Sequence, residues 1–142
     1  ITVLVVCFGF LNFWATSMPT AVIQVGEKKL YVQVAKTIGQ QQQGLSGREQ
    51  LLPYGGMLFP TSPPRRLPIV MRDMLFPIDI IWIRSGTIVD IAPNVPLEPD
   101  ATEEQLTVYY PRTIADMVLE VEAGFTEQYN IVIGDKISVI EE

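Results

Sequence analysis

Residues 67–91 read LPIVMRDMLFPIDIIWIRSGTIVDI, and the other predicted elements are interpreted around this stretch. Residues 78–83 are largely apolar at both sets of alternating positions, which is typical of a strand buried on both faces. Ser85-Gly86 interrupts the apolar run and residues 87–91 resume it, so the sequence predicts a tight hairpin. We expect this hairpin to form the core of a β-rich fold.

The composition indicates one domain of ordinary size. The chain has 142 residues, of which 48% are hydrophobic, enough for a core without disulfides or metals. Its eleven prolines and ten glycines are scattered, which suits short strands and turns better than long helices. We therefore predict a single β-rich domain over residues 18–142.

Further strands are predicted on both sides of the hairpin. They cover residues 21–26, 30–37, 57–59, 106–110, 116–122 and 136–140. Thr37 can cap a short helix through residues 40–43, and Gly44 can end it. A second short helix is predicted over residues 123–129. Residues 92–104 form a long acidic loop that serves either as a functional lid or as mobile surface.

The composition excludes several kinds of site. The chain has no histidine, and its single cysteine, Cys7, lies in the apolar N-terminal run. The commonest general base, the commonest metal ligands and an internal disulfide are therefore absent from the predicted domain. We predict no metal and no cofactor, although a calcium site built from carboxylates stays an open alternative. The net charge of −6 argues against nucleic acid as a partner.

The N-terminal stretch predicts export. Residues 1–14 read ITVLVVCFGFLNFW, and small residues follow up to Ser17. This pattern is typical of a signal peptide cleaved after Ser17, which predicts a periplasmic or extracellular protein. The alternatives are a leader, residues 1–17, that is retained as a membrane anchor, and a core strand. In the first of these cases the leader is the only part expected to contact the membrane.

Three blocks of sequence occur together in a fixed order. They are Gly44-Leu45 with Arg48, Leu51 and residues 56–59; Met71-Arg72-Asp73 with residues 77–79; and Leu119-Glu120 with Ala123-Gly124 and Gly134-Asp135. In these blocks the chain resembles the family known as domain of unknown function 192, across residues 30–140. The second block departs from the family's usual Trp-Met-Lys-Asn-Thr pattern. The resemblance implies a β-sandwich or jelly-roll-like fold with a few short helices, often behind an export signal, and it implies no activity.

The candidate ligand-binding residues come from these blocks. They are Arg48, Phe59, Met71, Arg72, Asp79 and Glu120. We expect the charged members to converge on one pocket, where an arginine fork binds a carboxylate or polyol oxygen. The structural alternative is that Arg48 pairs with Glu120 or Asp79, and that Asp79 accepts backbone N–H groups of residues 72–77. Such a network would only hold the loop against the sheet.

Three functions are compatible with these patterns. The first is non-catalytic binding of a small polar ligand or an envelope component by an exported protein. The second is a glycan hydrolase or lyase that uses Asp79 and Glu120 as its two carboxylates. The third is a structural or protein-interaction module that uses its edge strands or residues 92–105. The sequence leaves enzymatic activity open, and we favour binding.

Overall fold

The computed structural model describes residues 18–141. The predicted leader and its cleavage site lie outside these residues. The elements are β1 (Thr20–Val25), β2 (Lys28–Val34), α1 (Ile38–Gln43), β3 (Gly56–Arg65), β4 (Ile78–Arg84), β5 (Thr87–Val95), a 3-10 helix (Glu103–Gln105), β6 (Ala115–Glu122), α2 (Phe125–Gln128) and β7 (Ile137–Glu141).

The seven strands form one sheet in the order β5-β4-β6-β3-β2-β1-β7. Neighbours are antiparallel except β2 and β3, which run parallel and are joined by a crossover that contains α1. At one end Thr87 of β5 bridges to Lys136, next to β7, so the sheet curls into a half-barrel. The mainly-β prediction is confirmed. A sandwich or jelly roll is not confirmed, because the strands form a single curled sheet.

The central hairpin is confirmed as β4 and β5. Ser85 and Gly86 have φ angles of 48° and 75°. Two successive positive φ values are the requirement of a type I′ turn, whose twist matches that of the flanking strands. Every residue from Ile78 to Ile83 is buried, as expected for a strand covered on both faces.

Two hydrophobic clusters lie on opposite faces of the sheet. The inner cluster takes residues from all seven strands, including both edges, and therefore fills the concave side. The outer cluster is covered by residues 45–51 and 67–76. Along β4 the two clusters alternate: Ile81 and Ile83 are inner, whereas Ile80 and Trp82 are outer.

The predicted helix α1 is confirmed together with its cap. The Thr37 hydroxyl accepts the backbone N–H of Gln40, and the Gln40 side chain accepts the backbone N–H of Thr37. Gly44 follows the helix with a φ of 50°. The predicted strand over residues 106–110 is wrong, because only Tyr109 pairs there, through an isolated bridge to Ile69.

The acidic loop is shorter than predicted, because β5 continues to Val95. Within residues 18–141 no helix has the length and apolar character needed to cross a membrane.

Candidate functional site

A cavity of about 550 Å³ opens on the outer face of the sheet, between α1 and residues 65–74. Its apolar lining includes Ile38, Leu45, Phe59, Leu67, Ile69, Met74 and Ile78, and its polar lining includes Gln41, Arg65, Arg72, Tyr110 and Glu120. The site is thus mostly apolar with a few polar groups, which is the usual character of a small-molecule site.

Glu120 is the buried acid of this cavity. It lies on β6 between Met57 of β3 and Ile80 of β4, and only 5% of it is exposed. Burial raises the pKa of Glu120 to about 8, and no hydrogen bond or charge from residues 18–141 opposes this effect. At this pKa the protonated form predominates at pH 7, and that form can donate one hydrogen bond and accept others.

Hydrogen bonds hold helix α1, which forms one wall of the cavity, to the sheet. The Gln41 side chain donates to the carbonyl of Ala35 at 2.9 Å and to the carbonyl of Pro60 at 2.7 Å. These two bonds connect α1 to the end of β2 and to the middle of β3. The helix is therefore held in place although none of its residues is fully buried.

The segment after α1 is hydrogen-bonded to residues 71–74, which form the opposite wall of the cavity. The Ser46 hydroxyl donates to the carbonyl of Arg72 at 2.7 Å, and the backbone N–H of Gly47 donates to the carbonyl of Asp73 at 2.9 Å. The segments 44–48 and 71–74, which belong to two separate sequence blocks, thus form one continuous rim.

Arg72 lies at this rim, but its guanidinium is already engaged. Its Nε donates to Oε2 of Glu103 at 2.7 Å, and its Nη2 donates to Oε1 of the same carboxylate. This bond to Glu103 raises the pKa of Arg72. The predicted arginine fork therefore exists, and in this structure it binds a carboxylate of the protein itself.

Arg48 and Met71 lie outside the cavity. The Arg48 guanidinium donates to the side-chain oxygen of Gln33, a β2 residue. Met71 is 2% exposed and packs in the outer cluster. The alternative in which Arg48 pairs with Glu120 or Asp79 is therefore wrong.

Asp79 is fully buried and serves the fold. Its carboxylate accepts backbone N–H groups of Asn94 at 2.8 Å, Gly124 at 3.1 Å and Thr126 at 2.9 Å, and the Thr126 hydroxyl at 2.7 Å. It thereby joins the start of β4 to the end of β5 and to α2. The prediction that the donors come from residues 72–77 is wrong, although the predicted kind of contact is present.

The expected convergence of Arg48, Asp79 and Glu120 is not what the structure shows. Phe59, Arg72 and Glu120 line one cavity, Arg48 and Met71 lie beside it, and Asp79 is on the other face of the sheet. Asp79 and Glu120 cannot flank one glycosidic bond from opposite faces. The ligand-binding role of these residues stays a prediction.

Sequence reasoning missed some charged and polar groups. One of them is Asp90. Burial raises the pKa of this acid, but hydrogen bonds from Arg112 and from the backbone of Ile91 outweigh this effect, so the pKa is lowered overall. Gln41 and Tyr110, which line the cavity, were also missed. Leu45 could have been found, because it belongs to the first sequence block. In the part of the chain that the structure describes, no cluster of three or more metal-ligating side chains is found.

The family follows from comparison with known sequences. The chain matches the profile of DUF192, described as "Uncharacterized ACR", over residues 21–139. The chain belongs to the DUF192 family. Among curated proteins, none is significantly similar to this DUF192 chain.

Two crystal structures share the fold. A protein from Sinorhizobium meliloti 1021, described as a candidate transcription regulator, is 27% identical, with a TM-score of 0.78 over 87% of this chain and 96% of that one. A protein of unknown function from Novosphingobium aromaticivorans DSM 12444 is 24% identical, with a TM-score of 0.75 over 87% of each chain. The second similarity bears on the fold alone.

Proposed function

We propose that this DUF192 chain binds a small molecule with an apolar body and an oxygen acceptor, and that it does not catalyse a reaction. The observation that carries the proposal is the buried carboxyl of Glu120, which has no partner among residues 18–141 and lines a largely apolar cavity. A volume of about 550 Å³ lies within the range of roughly 300–1,000 Å³ that small-molecule sites occupy.

The polar contact follows from the protonation state of Glu120. A neutral carboxylic acid can donate to a carbonyl, ether or hydroxyl oxygen of the ligand. A hydrogen bond contributes about 0.5–1.5 kcal/mol net, so a ligand oxygen that accepts this bond adds specificity as well as affinity. The surrounding apolar walls would bind the rest of the molecule.

Binding is favoured over hydrolysis because the cavity holds one carboxyl. Of the residues from 18 to 141 that line it, Glu120 is the only acid. Glycoside cleavage needs a pair, and the other nominated acid, Asp79, accepts four hydrogen bonds on the inner face.

Nucleic acid is not part of the proposed function. The Sinorhizobium protein is described as a candidate transcription regulator, but the net charge of −6 on this chain disfavours contact with a phosphate backbone.

The apolar run at residues 1–14 supports an exported protein. Fusion of this leader to a reporter, followed by fractionation of the cells, tests that assignment.

The binding site can be tested with 1,10-decanediol, which has an apolar body and uncharged oxygen ends. We expect the diol to raise the melting temperature of the protein and to give a measurable dissociation constant by calorimetry. Glu120→Leu replaces the carboxyl donor with an apolar side chain of similar size. The variant should therefore fold, and it should bind the diol about tenfold more weakly.

The matched control is Glu122→Leu, because Glu122 is an exposed acid two positions along the same strand and does not line this cavity. Equal affinity of wild type and Glu120→Leu for the diol would overturn the assigned role of Glu120. Unchanged affinity in Val70→Trp, which places a bulky ring in the cavity lining, would overturn the assigned cavity.

A further inference from the structure

A second cavity adjoins the first. It has a volume of about 560 Å³ and is lined by Lys36, Ile38, Gln41, residues 60–63 and Arg65. Three of these residues, Ile38, Gln41 and Arg65, also line the cavity that contains Glu120. The two spaces are therefore neighbours that share a wall.

The second cavity is positively charged in an acidic protein. Lys36 and Arg65 are its charged lining residues, and its described lining contains no acid. The ion pairs found within residues 18–141 are Arg72–Glu103 and Arg112–Asp90, so neither Lys36 nor Arg65 is neutralised by one of them. Two unneutralised cations next to one space favour an anionic group there.

A hydroxyl next to this cavity is buried away from the open space. Thr61 is 9% exposed and lines the same cavity, and its side-chain oxygen has no hydrogen-bond partner in the described part of the chain. Because this oxygen has almost no accessible surface, a ligand oxygen in the cavity cannot reach it unless neighbouring atoms move. Buried polar groups are normally hydrogen-bonded, so the Thr61 hydroxyl is unusual.

We propose that this second cavity binds the carboxylate end of the same ligand, so that the ligand is an elongated monocarboxylic acid with an oxygen function at its far end. The inference rests on the proposed function. Lys36 and Arg65 would neutralise the carboxylate, and Glu120 would contact the far oxygen.

The strand register gives the required length. Arg65 pairs with Ala115 across β3 and β6, whereas Met57 pairs with Glu120. The backbone positions of the two polar ends are therefore separated by five residues of β6, roughly 17 Å. The long side chain of Arg65 shortens this distance for the ligand itself, which suits a chain such as that of 10-hydroxydecanoate.

Three probes that share one body test the proposal: 10-hydroxydecanoate, 1,10-decanediol and 10-amino-1-decanol. They differ only in carrying a carboxylate, a hydroxyl or an ammonium group at one end. By calorimetry at pH 7 we expect the hydroxy acid to bind the wild-type protein about tenfold more tightly than the diol, and the amine to bind more weakly than the diol.

Variants assign the preference for the carboxylate to Lys36 and Arg65. Lys36→Gln should remove most of the advantage of the hydroxy acid and leave the diol unchanged. Arg65→Gln changes a residue that lines both cavities, so it should narrow the gap between hydroxy acid and diol, measured against the diol affinity of the same variant. Lys29→Gln, a lysine outside both cavities, is the matched control.

The outcomes separate the two proposals. If the diol binds but the hydroxy acid is no tighter, or if Lys36→Gln and Arg65→Gln behave like Lys29→Gln, the carboxylate site is overturned and the Glu120 cavity stands. If the hydroxy acid binds Glu120→Leu as tightly as it binds the wild type, and Arg65→Gln still weakens it, the role of Glu120 is overturned and the carboxylate site stands. If none of the probes binds, both proposals are overturned.

Discussion

The carboxyl groups of Asp79 and Glu120 lie on opposite faces of the sheet, although the two residues are diagonal neighbours across β4 and β6. Asp79 pairs with Val121, and Ile80 pairs with Glu120. Val121 belongs to the inner cluster and Ile80 to the outer one. Because side chains alternate along a strand, an offset of one position sends the two acids to different environments.

The two environments are chemically opposite. Asp79 accepts four hydrogen bonds, three of them from backbone N–H groups, and no water is needed to satisfy it. Glu120 lines the largely apolar cavity, and burial alone raises its pKa to about 8. One acid therefore holds the fold together, and the other is available to a ligand.

Removing the Asp79 carboxylate should destabilise the protein strongly. Asp79→Ala leaves three backbone donors and the Thr126 hydroxyl without their acceptor, and we expect a loss of about 3–4 kcal/mol in the free energy of unfolding. Urea denaturation followed by circular dichroism measures it. Asp100→Ala, which removes an exposed acid, should change stability little. A loss below about 1 kcal/mol for Asp79→Ala would contradict this account of the network.

The raised pKa of Glu120 makes stability depend on pH. The ordinary pKa is 4.5 and the folded value is about 8, because burial favours the protonated form. The contribution of Glu120 to the free energy of unfolding is therefore fully present below pH 4.5 and is lost as the pH rises to about 8. The shift corresponds to a loss of at most roughly 5 kcal/mol.

Glu120→Gln should abolish this contribution, because the amide does not titrate. The measurement is the urea midpoint between pH 5 and 8, taken as the difference between wild type and variant. Glu122→Gln, at the exposed end of the same strand, should keep the wild-type dependence. Parallel pH profiles for wild type and Glu120→Gln would show that the carboxyl is ionised normally.

Replacing two glycines by alanine should change the stability of the protein in opposite directions. A Cβ at Gly56 would lie 2.6 Å from the backbone oxygen of Glu120, so β3 and β6 would have to separate. We expect Gly56→Ala to destabilise the protein by about 2 kcal/mol or more. A Cβ at Gly39, inside α1, would meet nothing within 4 Å, so Gly39→Ala should stabilise by about 0.4–1 kcal/mol. Thermal denaturation of both variants checks the signs, and a neutral Gly56→Ala would contradict the close approach.

The cap of α1 should matter for the cavity as well as for stability. Thr37→Ala removes the side-chain acceptor of the Gln40 backbone N–H, which should cost about 1 kcal/mol. Because α1 carries Ile38 and Gln41, diol binding should weaken together with the loss of helix. Thr113→Ala, an exposed threonine outside the helix, is the control. Unchanged stability and binding in Thr37→Ala would show that the cap is dispensable.

Local sequence predicted the parts of the fold that depend on near neighbours. The Ser85-Gly86 turn needs two residues that tolerate positive φ, and the cap of α1 joins Thr37 and Gln40, three positions apart. Residues 106–110 show the limit of such patterns. Their alternation suggests a strand, but only Tyr109 found a partner in space, because pairing requires a neighbouring strand with unpaired backbone groups.

The amino-acid sequence by itself determined the central hairpin, helix α1 and the family, because these depend on turn chemistry, capping and short motifs. Only the tertiary structure decided which polar groups meet. Asp79 takes its donors from positions 15 to 47 residues away, and Arg48 finds Gln33 rather than an acid. The register of β4 against β6 then placed Glu120 on the outer face, in the largely apolar cavity, since an offset of one residue exchanges the two faces of a sheet.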